Sequence, residues 1–141
     1  MIVQDADPYV LMVEDNEDDV ALTLRSLERN QFVYKIVVAH DGAEALKHLS
    51  ENGRHLPVLI LLDLNLPKVS GLEVLKQVRA ATLLKNIPVL ILSSSDGERD
   101  RAAALSLGAN LYIRKPINFN DFDAVAEQIQ NFLPAAEKMG P

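Results

Sequence analysis

The chain has 141 residues, of which 48% are hydrophobic and 24% charged, and its formal net charge is −6. This length suits one domain with one core, and the composition is that of a globular protein. The absence of cysteine excludes disulfides and thiolate chemistry and fits a reducing compartment. No apolar stretch approaches the roughly 18 residues that span a bilayer, and the N-terminus lacks a signal peptide pattern. We therefore expect a cytoplasmic protein with no membrane segment.

Two ligand classes are disfavoured by the charged residues and the histidines. A compact nucleic-acid binder usually carries a basic stripe, whereas Lys and Arg are scattered along this acidic chain. His40, His48 and His55 lack metal-ligand spacing, which favours surface or packing roles. We expect no nucleic-acid partner.

Five strand-like runs alternate with five helix-like segments. The predicted strands span residues 9–13, 34–39, 58–62, 88–92 and 110–113. The first, third and fourth runs are continuously apolar, as expected for central parallel strands covered on both faces. The second contains Lys35 and the fifth is short, and both features favour the edges of a sheet.

The segments between the strands carry the 3.6-residue period of amphipathic helices. The second helix is predicted to begin at Asp41. The third and fourth open with capping boxes, Ser70 with Glu73 and Ser95 with Glu98. This alternation predicts a doubly wound parallel sheet with right-handed crossovers, as one domain over 1–141 with a core of about 8–133 and short mobile ends.

The acidic residues lie where the predicted strands end. Residues 14–18, Glu-Asp-Asn-Glu-Asp, follow the first strand, and Asp63 follows the third. A dinucleotide site or a P-loop needs a glycine-rich turn there, and this acidic turn would repel phosphate. Clustered carboxylates instead suit Mg²⁺, which prefers hard oxygen ligands.

A phosphoryl-transfer site follows from the summed charges. Glu14, Asp15 and Asp63 contribute −3, and Mg²⁺ with Lys115 contributes +3, so a phosphoryl donor could approach Asp63 without net repulsion. A carboxylate can act as a covalent nucleophile for phosphoryl groups. The Ser93 hydroxyl, after the fourth strand, could then hydrogen-bond a phosphoryl oxygen.

These residues resemble the receiver domain of two-component response regulators over about residues 8–133. The resemblance is carried by motifs at four strand ends: Val13-Glu14-Asp15, Leu62-Asp63-Leu64-Asn65-Leu66-Pro67 with Gly71, Leu92-Ser93, and Tyr112-Ile113-Arg114-Lys115-Pro116. It implies a CheY-like, flavodoxin-like sheet in the order 2-1-3-4-5 flanked by five helices.

The resemblance also implies roles for individual residues. Asp63 corresponds to the phospho-acceptor, assisted by Ser93 and Lys115. Asp15 and Asp63 correspond to direct Mg²⁺ ligands, Glu14 to a ligand acting through water, and Asn65 to a ligand through its backbone carbonyl.

Two further features come from the resemblance alone. Ser93 and Tyr112 correspond to the switch residues of the family. The Lys115–Pro116 peptide bond is expected to be cis.

The same family implies partners. A sensor histidine kinase would donate the phosphoryl group, and resemblance to stand-alone regulators of phytochrome-type kinases points to a bacteriophytochrome. The chain departs from that subtype at Ser93-Ser94, where Thr-Thr is usual, and at Phe132-Leu133, where Phe-Trp is usual. A homodimer through the fourth helix, fifth strand and fifth helix is expected, with Phe119 and Phe132 partly exposed there.

Several alternatives stay open at this stage. The domain could relay phosphate to a histidine phosphotransfer protein. An aspartyl-phosphate phosphatase is disfavoured because Asn65 stands where such enzymes use a second acid for proton transfer. A degenerate receiver would have lost one of the site residues. Asp18 and Asp19 are expected only to face solvent or to favour the helix dipole.

Overall fold

The computed structural model describes residues 7–51, 53, 55–95 and 97–133, apart from the side chain of Phe119. The termini, whose mobility the sequence predicts, and the predicted exposure of Phe119 lie outside that description. The described residues form one five-stranded parallel sheet in the order β2-β1-β3-β4-β5. The predicted fold and strand order are therefore confirmed.

The elements alternate along the chain as the hydrophobic pattern predicts. The strands are β1 Tyr9–Val13, β2 Lys35–Ala39, β3 Leu59–Leu62, β4 Val89–Ser93 and β5 Leu111–Arg114. The helices are α1 Glu17–Arg29, α2 Gly42–Glu51, α3 Gly71–Ala80, α4 Glu98–Ser106 and α5 Phe122–Asn131, the last preceded by a 3₁₀ turn at Phe119–Asp121. None of the helices in these described parts of the chain is long and apolar enough to cross a membrane.

The sheet separates two apolar layers. Every residue of β1, β3 and β4 is buried, whereas β2 and β5 are partly exposed, in accord with the predicted edge positions. Alternate side chains of the central strands enter opposite layers. One layer contains Ala45, Val74, Leu75 and Ala104 from α2, α3 and α4. The other contains residues of α1 and α5, including Leu27, Phe122 and Ile129.

Helix capping agrees with the sequence in two of three cases. The amide of Glu44 donates to Asp41 Oδ1 at 2.7 Å, and the amide of Glu73 donates to Ser70 Oγ at 3.2 Å. The box predicted at Ser95 is wrong, because α4 begins after Gly97 without a side-chain cap. The Ser95 hydroxyl instead donates to Asp100 Oδ2 at 2.7 Å.

The predicted cis bond at Lys115–Pro116 is also wrong, since no peptide bond among the described residues is cis. The trans form of an X–Pro bond is favoured by about 0.5–1 kcal/mol unless tertiary contacts reverse it. The residues around Pro116 alone gave no reason for a reversal.

Candidate functional site

The polar residues singled out in the sequence meet at the carboxyl edge of the sheet. The backbone amide of Glu14 donates to Ala39 at 2.9 Å, and that of Asp63 donates to Val13 at 3.1 Å. The amide of Lys115 donates to the carbonyl of Ser93 at 2.8 Å. These bonds continue the ladders one residue beyond the strands, so the positions of the site residues are set by the sheet itself.

Three carboxylates form the acidic part of the site. One ligand oxygen from each of Glu14, Asp15 and Asp63 lies within 4.8 Å of the others. Glu14 and Asp63 are only 2% and 5% exposed, whereas Asp15 is exposed. Buried carboxylates at this spacing need cationic partners, because an unpaired buried charge is strongly unfavourable.

Lys115 supplies one such partner from the end of β5. Its Nζ lies 2.7 Å from Glu14 Oε1, 2.8 Å from Asp19 Oδ2 and 3.2 Å from Asp63 Oδ2. Burial by itself would lower the pKa of Lys115, but the hydrogen bonds to Asp19 and Glu14 and the charge of Asp63 raise it instead. The side chain is 8% exposed, so the ammonium stays charged inside the acidic cluster.

Burial disfavours the ionised form of the Glu14 carboxylate. Burial raises its pKa from the ordinary value of 4.5 to about 7, although hydrogen bonds from Lys115 and from the Asn16 amide act in the opposite direction. The neighbouring charge of Asp63 raises it further. A divalent cation would remove this penalty, and the hard oxygens of the three acids suit Mg²⁺ or Mn²⁺.

Asp19 is a site residue that the sequence analysis missed. It was assigned a solvating or helix-dipole role, yet its carboxylate accepts from Lys115 Nζ across 96 positions of the chain. The signal available was its place in the first turn of α1, four residues after Asp15. Because α1 begins at Glu17, soon after β1 ends at Val13, an acid in its first turn can lie near the sheet edge.

The segment after Asp63 is packed tightly against α3. The amide of Asn65 donates to Asp63 Oδ1 at 3.2 Å, and the amide of Gly71 donates to the carbonyl of Leu64 at 3.0 Å. A Cβ at position 71 would lie 2.2 Å from the carbonyl oxygen of Asp63. Glycine is therefore required at this position by close backbone approach.

Ser93 and Tyr112 are joined through the backbone of Ser95. Ser93 is fully buried, and its Oγ accepts from the Ser95 amide at 3.2 Å. The Tyr112 hydroxyl donates to the Ser95 carbonyl at 2.7 Å. One residue of the β4–α4 loop thus connects the sheet edge at the acidic site with a partly buried tyrosine on the edge strand β5.

Comparison with known families identifies the domain that carries this site. The family model for the response regulator receiver domain matches residues 10–127. The chain belongs to the response regulator receiver domains. The motifs that carried the resemblance in the sequence thus lie in a receiver domain whose sheet edge brings Glu14, Asp15, Asp63 and Lys115 together.

Regulatory proteins that this chain matches over most of their length are among its relatives. The probable methanogenesis regulatory protein FilR2 of Methanothrix harundinacea is 38% identical over 135 residues, which is 93% of this chain and 87% of that protein. Response regulator Rcp1 of Synechocystis is 36% identical over 137 residues, or 90% and 93% of the two chains.

Two solved structures share the architecture of this receiver domain. The phosphorylated cyanobacterial phytochrome response regulator RcpA matches with a TM-score of 0.83 and 36% identity, covering 93% of this chain and 96% of RcpA. The Mn²⁺-bound form of Rcp1 matches with a TM-score of 0.80 and 35% identity, covering 91% and 99%.

Proposed function

We propose that this receiver domain is a response regulator that accepts a phosphoryl group on Asp63 from the phosphohistidine of a sensor histidine kinase. The observation that carries the proposal is the Asp63 carboxylate, which is 5% exposed and lies 3.2 Å from the Lys115 ammonium beside two further acids. A nucleophile, a cation and metal-ligand oxygens in one place are the components that phosphoryl transfer needs.

The transfer exchanges one bond to phosphorus for another. The phosphorus–nitrogen bond of the phosphohistidine breaks as a bond to an Asp63 oxygen forms, and the imidazole leaves with the bonding electron pair. Lys115 lies close enough to contact the phosphoryl oxygens, and the Ser93 hydroxyl is the second donor that we assign to them. No second acid follows at Asn65, which favours a signalling protein over a phosphatase.

Glu14, Asp15, Asp63 and the backbone carbonyl of Asn65 are the residues that would hold Mg²⁺. Their fit rests on the spacing of the acids and on the raised pKa of Glu14. When bound, the ion would offset the negative charge that gathers as a phosphoryl group approaches Asp63. The structure of Rcp1 with Mn²⁺ supports a divalent-cation site in this subfamily.

We assign Ser93 and Tyr112 as the switch. A phosphoryl group that draws the Ser93 hydroxyl toward Asp63 would compete with its bond to the Ser95 amide. The bond from Tyr112 to the Ser95 carbonyl would then be disturbed as well. Such a change would bias two packings of the β4–α4 loop.

The partner of this switch is proposed from the relatives. RcpA is described as a phytochrome response regulator, which supports a phytochrome-type histidine kinase as the donor. For output we propose a homodimer through α4, β5 and α5. Leu105 on α4 is 38% exposed, and Leu111 and Tyr112 on β5 are partly buried. A symmetric dimer is the commonest closed assembly.

Phosphorylation with a small donor tests the function directly. Acetyl phosphate or phosphoramidate with Mg²⁺ should add one phosphate to the wild type, as seen by intact mass spectrometry, and none to Asp63→Asn. Asp18→Asn, an exposed acid of α1, is the control and should label like the wild type. Equal labelling of Asp63→Asn, or labelling in excess EDTA, would refute the assignment.

The dimer is tested by sedimentation with and without beryllofluoride. Leu105→Ser and Tyr112→Ala should weaken self-association, whereas Leu83→Ser, at a position 67% exposed between α3 and β4, should not. A monomer under both conditions for the wild type would overturn the proposed assembly while leaving the phosphorylation chemistry intact.

A further inference from the structure

The ammonium of Lys115 has three protons and three carboxylate partners. The contacts to Glu14 and Asp19, at 2.7 and 2.8 Å, are shorter than the 3.2 Å contact to Asp63. The contacts to Asp19 and Asp63 are hydrogen bonds and that to Glu14 is an ion pair, and together they decide where the charge of Lys115 lies relative to Asp63.

The three partners differ in what else they must serve. Glu14 and Asp63 belong to the acid group that fits a divalent cation, together with Asp15. Asp19 lies outside that group, and its carboxylate is 28% exposed. If Glu14 and Asp63 also held a cation, Asp19 would be the acid partner of Lys115, among the residues that the structure describes, that is not shared with it.

The backbone of Asp19 is also held in place. Its amide donates to Asn16 Oδ1 at 3.0 Å, which is the N-cap bond of α1, and its carbonyl accepts from Thr23 Oγ1 at 2.8 Å. The carboxylate therefore projects from a capped first turn, and its position relative to the sheet edge does not depend on a mobile loop.

We propose that Asp19 is a positioning residue that holds the Lys115 ammonium at Asp63 during phosphoryl transfer. This inference rests on the proposed function, because it assigns a role toward the group transferred to Asp63. Asp19 touches Lys115 and acts through it. Without Asp19, the ammonium would keep only Glu14 and Asp63 as acid partners among the described residues, and both would also serve a bound cation.

Amine reactivity gives a test that needs neither metal nor phosphate. The protein without divalent ions is treated briefly with acetic anhydride, and acetylation of Lys115 is followed by peptide mass spectrometry. Asp19→Asn should label about tenfold faster at Lys115 than the wild type, since one charge-assisted bond has been lost. Asp18→Asn removes the same charge from the same turn and should label Lys115 within about twofold of the wild type.

The rate of Asp63 phosphorylation at saturating Mg²⁺ gives the second readout. Asp19→Asn should slow it about tenfold, Asp19→Glu should restore part of the rate, and Mn²⁺ affinity from calorimetry should stay within about twofold because Asp19 is not a ligand. In a Lys115→Met background, Asp19→Asn should have no further effect on the rate.

The outcomes separate this inference from the proposed function. If the wild type is not phosphorylated at Asp63, the proposed function fails. If the wild type is phosphorylated and Asp19→Asn matches or exceeds its rate, Asp19 does not position Lys115. Additive losses in the double variant, or a collapse of Mn²⁺ affinity in Asp19→Asn, would also overturn the inference.

Discussion

Glu14→Gln should change the pH dependence of stability in a defined window. In the folded protein burial raises the pKa of Glu14 from 4.5 to about 7. Between these values the folded state holds a proton that the unfolded state has released, so stability falls as pH rises. The contribution of protonated Glu14 to the free energy of unfolding is fully present below about pH 4.5 and is lost once the pH has passed 7.

The size of this effect follows from the difference between the two pKa values. At about 1.4 kcal/mol per pH unit, ionising Glu14 costs the folded state about 3 kcal/mol. Glutamine retains a carbonyl oxygen that can accept from Lys115 or from the Asn16 amide, and it does not ionise. The variant should therefore be more stable than the wild type at pH 8, and this advantage should shrink by about 3 kcal/mol at pH 4.5.

Urea unfolding in EDTA, at steps of half a pH unit between pH 4.5 and 8, measures the difference in unfolding free energy between the wild type and Glu14→Gln. Burial lowers the pKa of His48 from its ordinary value of 6.5, so the contribution of this residue to stability changes with pH in the opposite sense to that of Glu14. Subtracting the unfolding free energy of the variant from that of the wild type at each pH removes the contribution of His48. The same subtraction for Glu28→Gln, an exposed position on α1, should stay within about 0.5 kcal/mol at every pH.

Magnesium provides a further check on the same variant. Metal binding requires the ionised carboxylate, so Mg²⁺ should reduce the loss of wild-type stability at pH 8. Parallel pH profiles for wild type and Glu14→Gln would show that Glu14 is not the titrating group. A difference that grows as pH falls would contradict the sign of the argument.

Other substitutions test the rest of the site and its support. Asp63→Asn should raise the unfolding free energy in EDTA by about 1 kcal/mol, as measured in urea, because it removes one of several crowded carboxylates; a lower value would show that Asp63 is needed as an ionic partner. Gly71→Ala should cost about 3 kcal/mol because its Cβ would lie 2.2 Å from a backbone oxygen, whereas Gly97→Ala, with its nearest atom 3.6 Å away, should cost under about 1 kcal/mol in the same assay. Arg79→Met should cost about 2–3 kcal/mol by thermal or urea unfolding, because the guanidinium donates to the carbonyls of Gly108, after α4, and Ile87, before β4. The exposed Arg99→Met control should be nearly neutral in the same assays.

The hydrophobic pattern predicted most of the fold. Each strand boundary agrees with the structure within one residue, and the continuous apolar runs are the central strands. Lys35 and the short final run correctly marked the edges. Central strands of a parallel sheet are buried on both faces and edge strands are not, so each run shows its place in the sheet through its own residues. The meeting of Glu14, Asp63 and Lys115 then follows from strand direction alone.

Features that depend on distant partners were missed or wrong. Asp19 satisfied a local rule for helix starts, and its contact with Lys115 arises only when the residue after β5 and the first turn of α1 meet at the carboxyl edge of the sheet. Ser95 also satisfied a local capping rule, but Asp100 accepts its hydroxyl and the helix begins later. The isomer of Pro116 came from the family resemblance and not from any local signal.

The contact between Gly71 and the backbone of Asp63 makes one part of the site more rigid than the other. The backbone of Asp63 and the start of α3 are in close contact, so neither can shift without the other. The β4–α4 loop is joined to its surroundings through side-chain hydrogen bonds at Ser93 and Tyr112, which can be exchanged at lower cost. Mutations that tune the lifetime or strength of a signal should therefore accumulate around Ser95, while substitutions of Gly71 should be poorly tolerated.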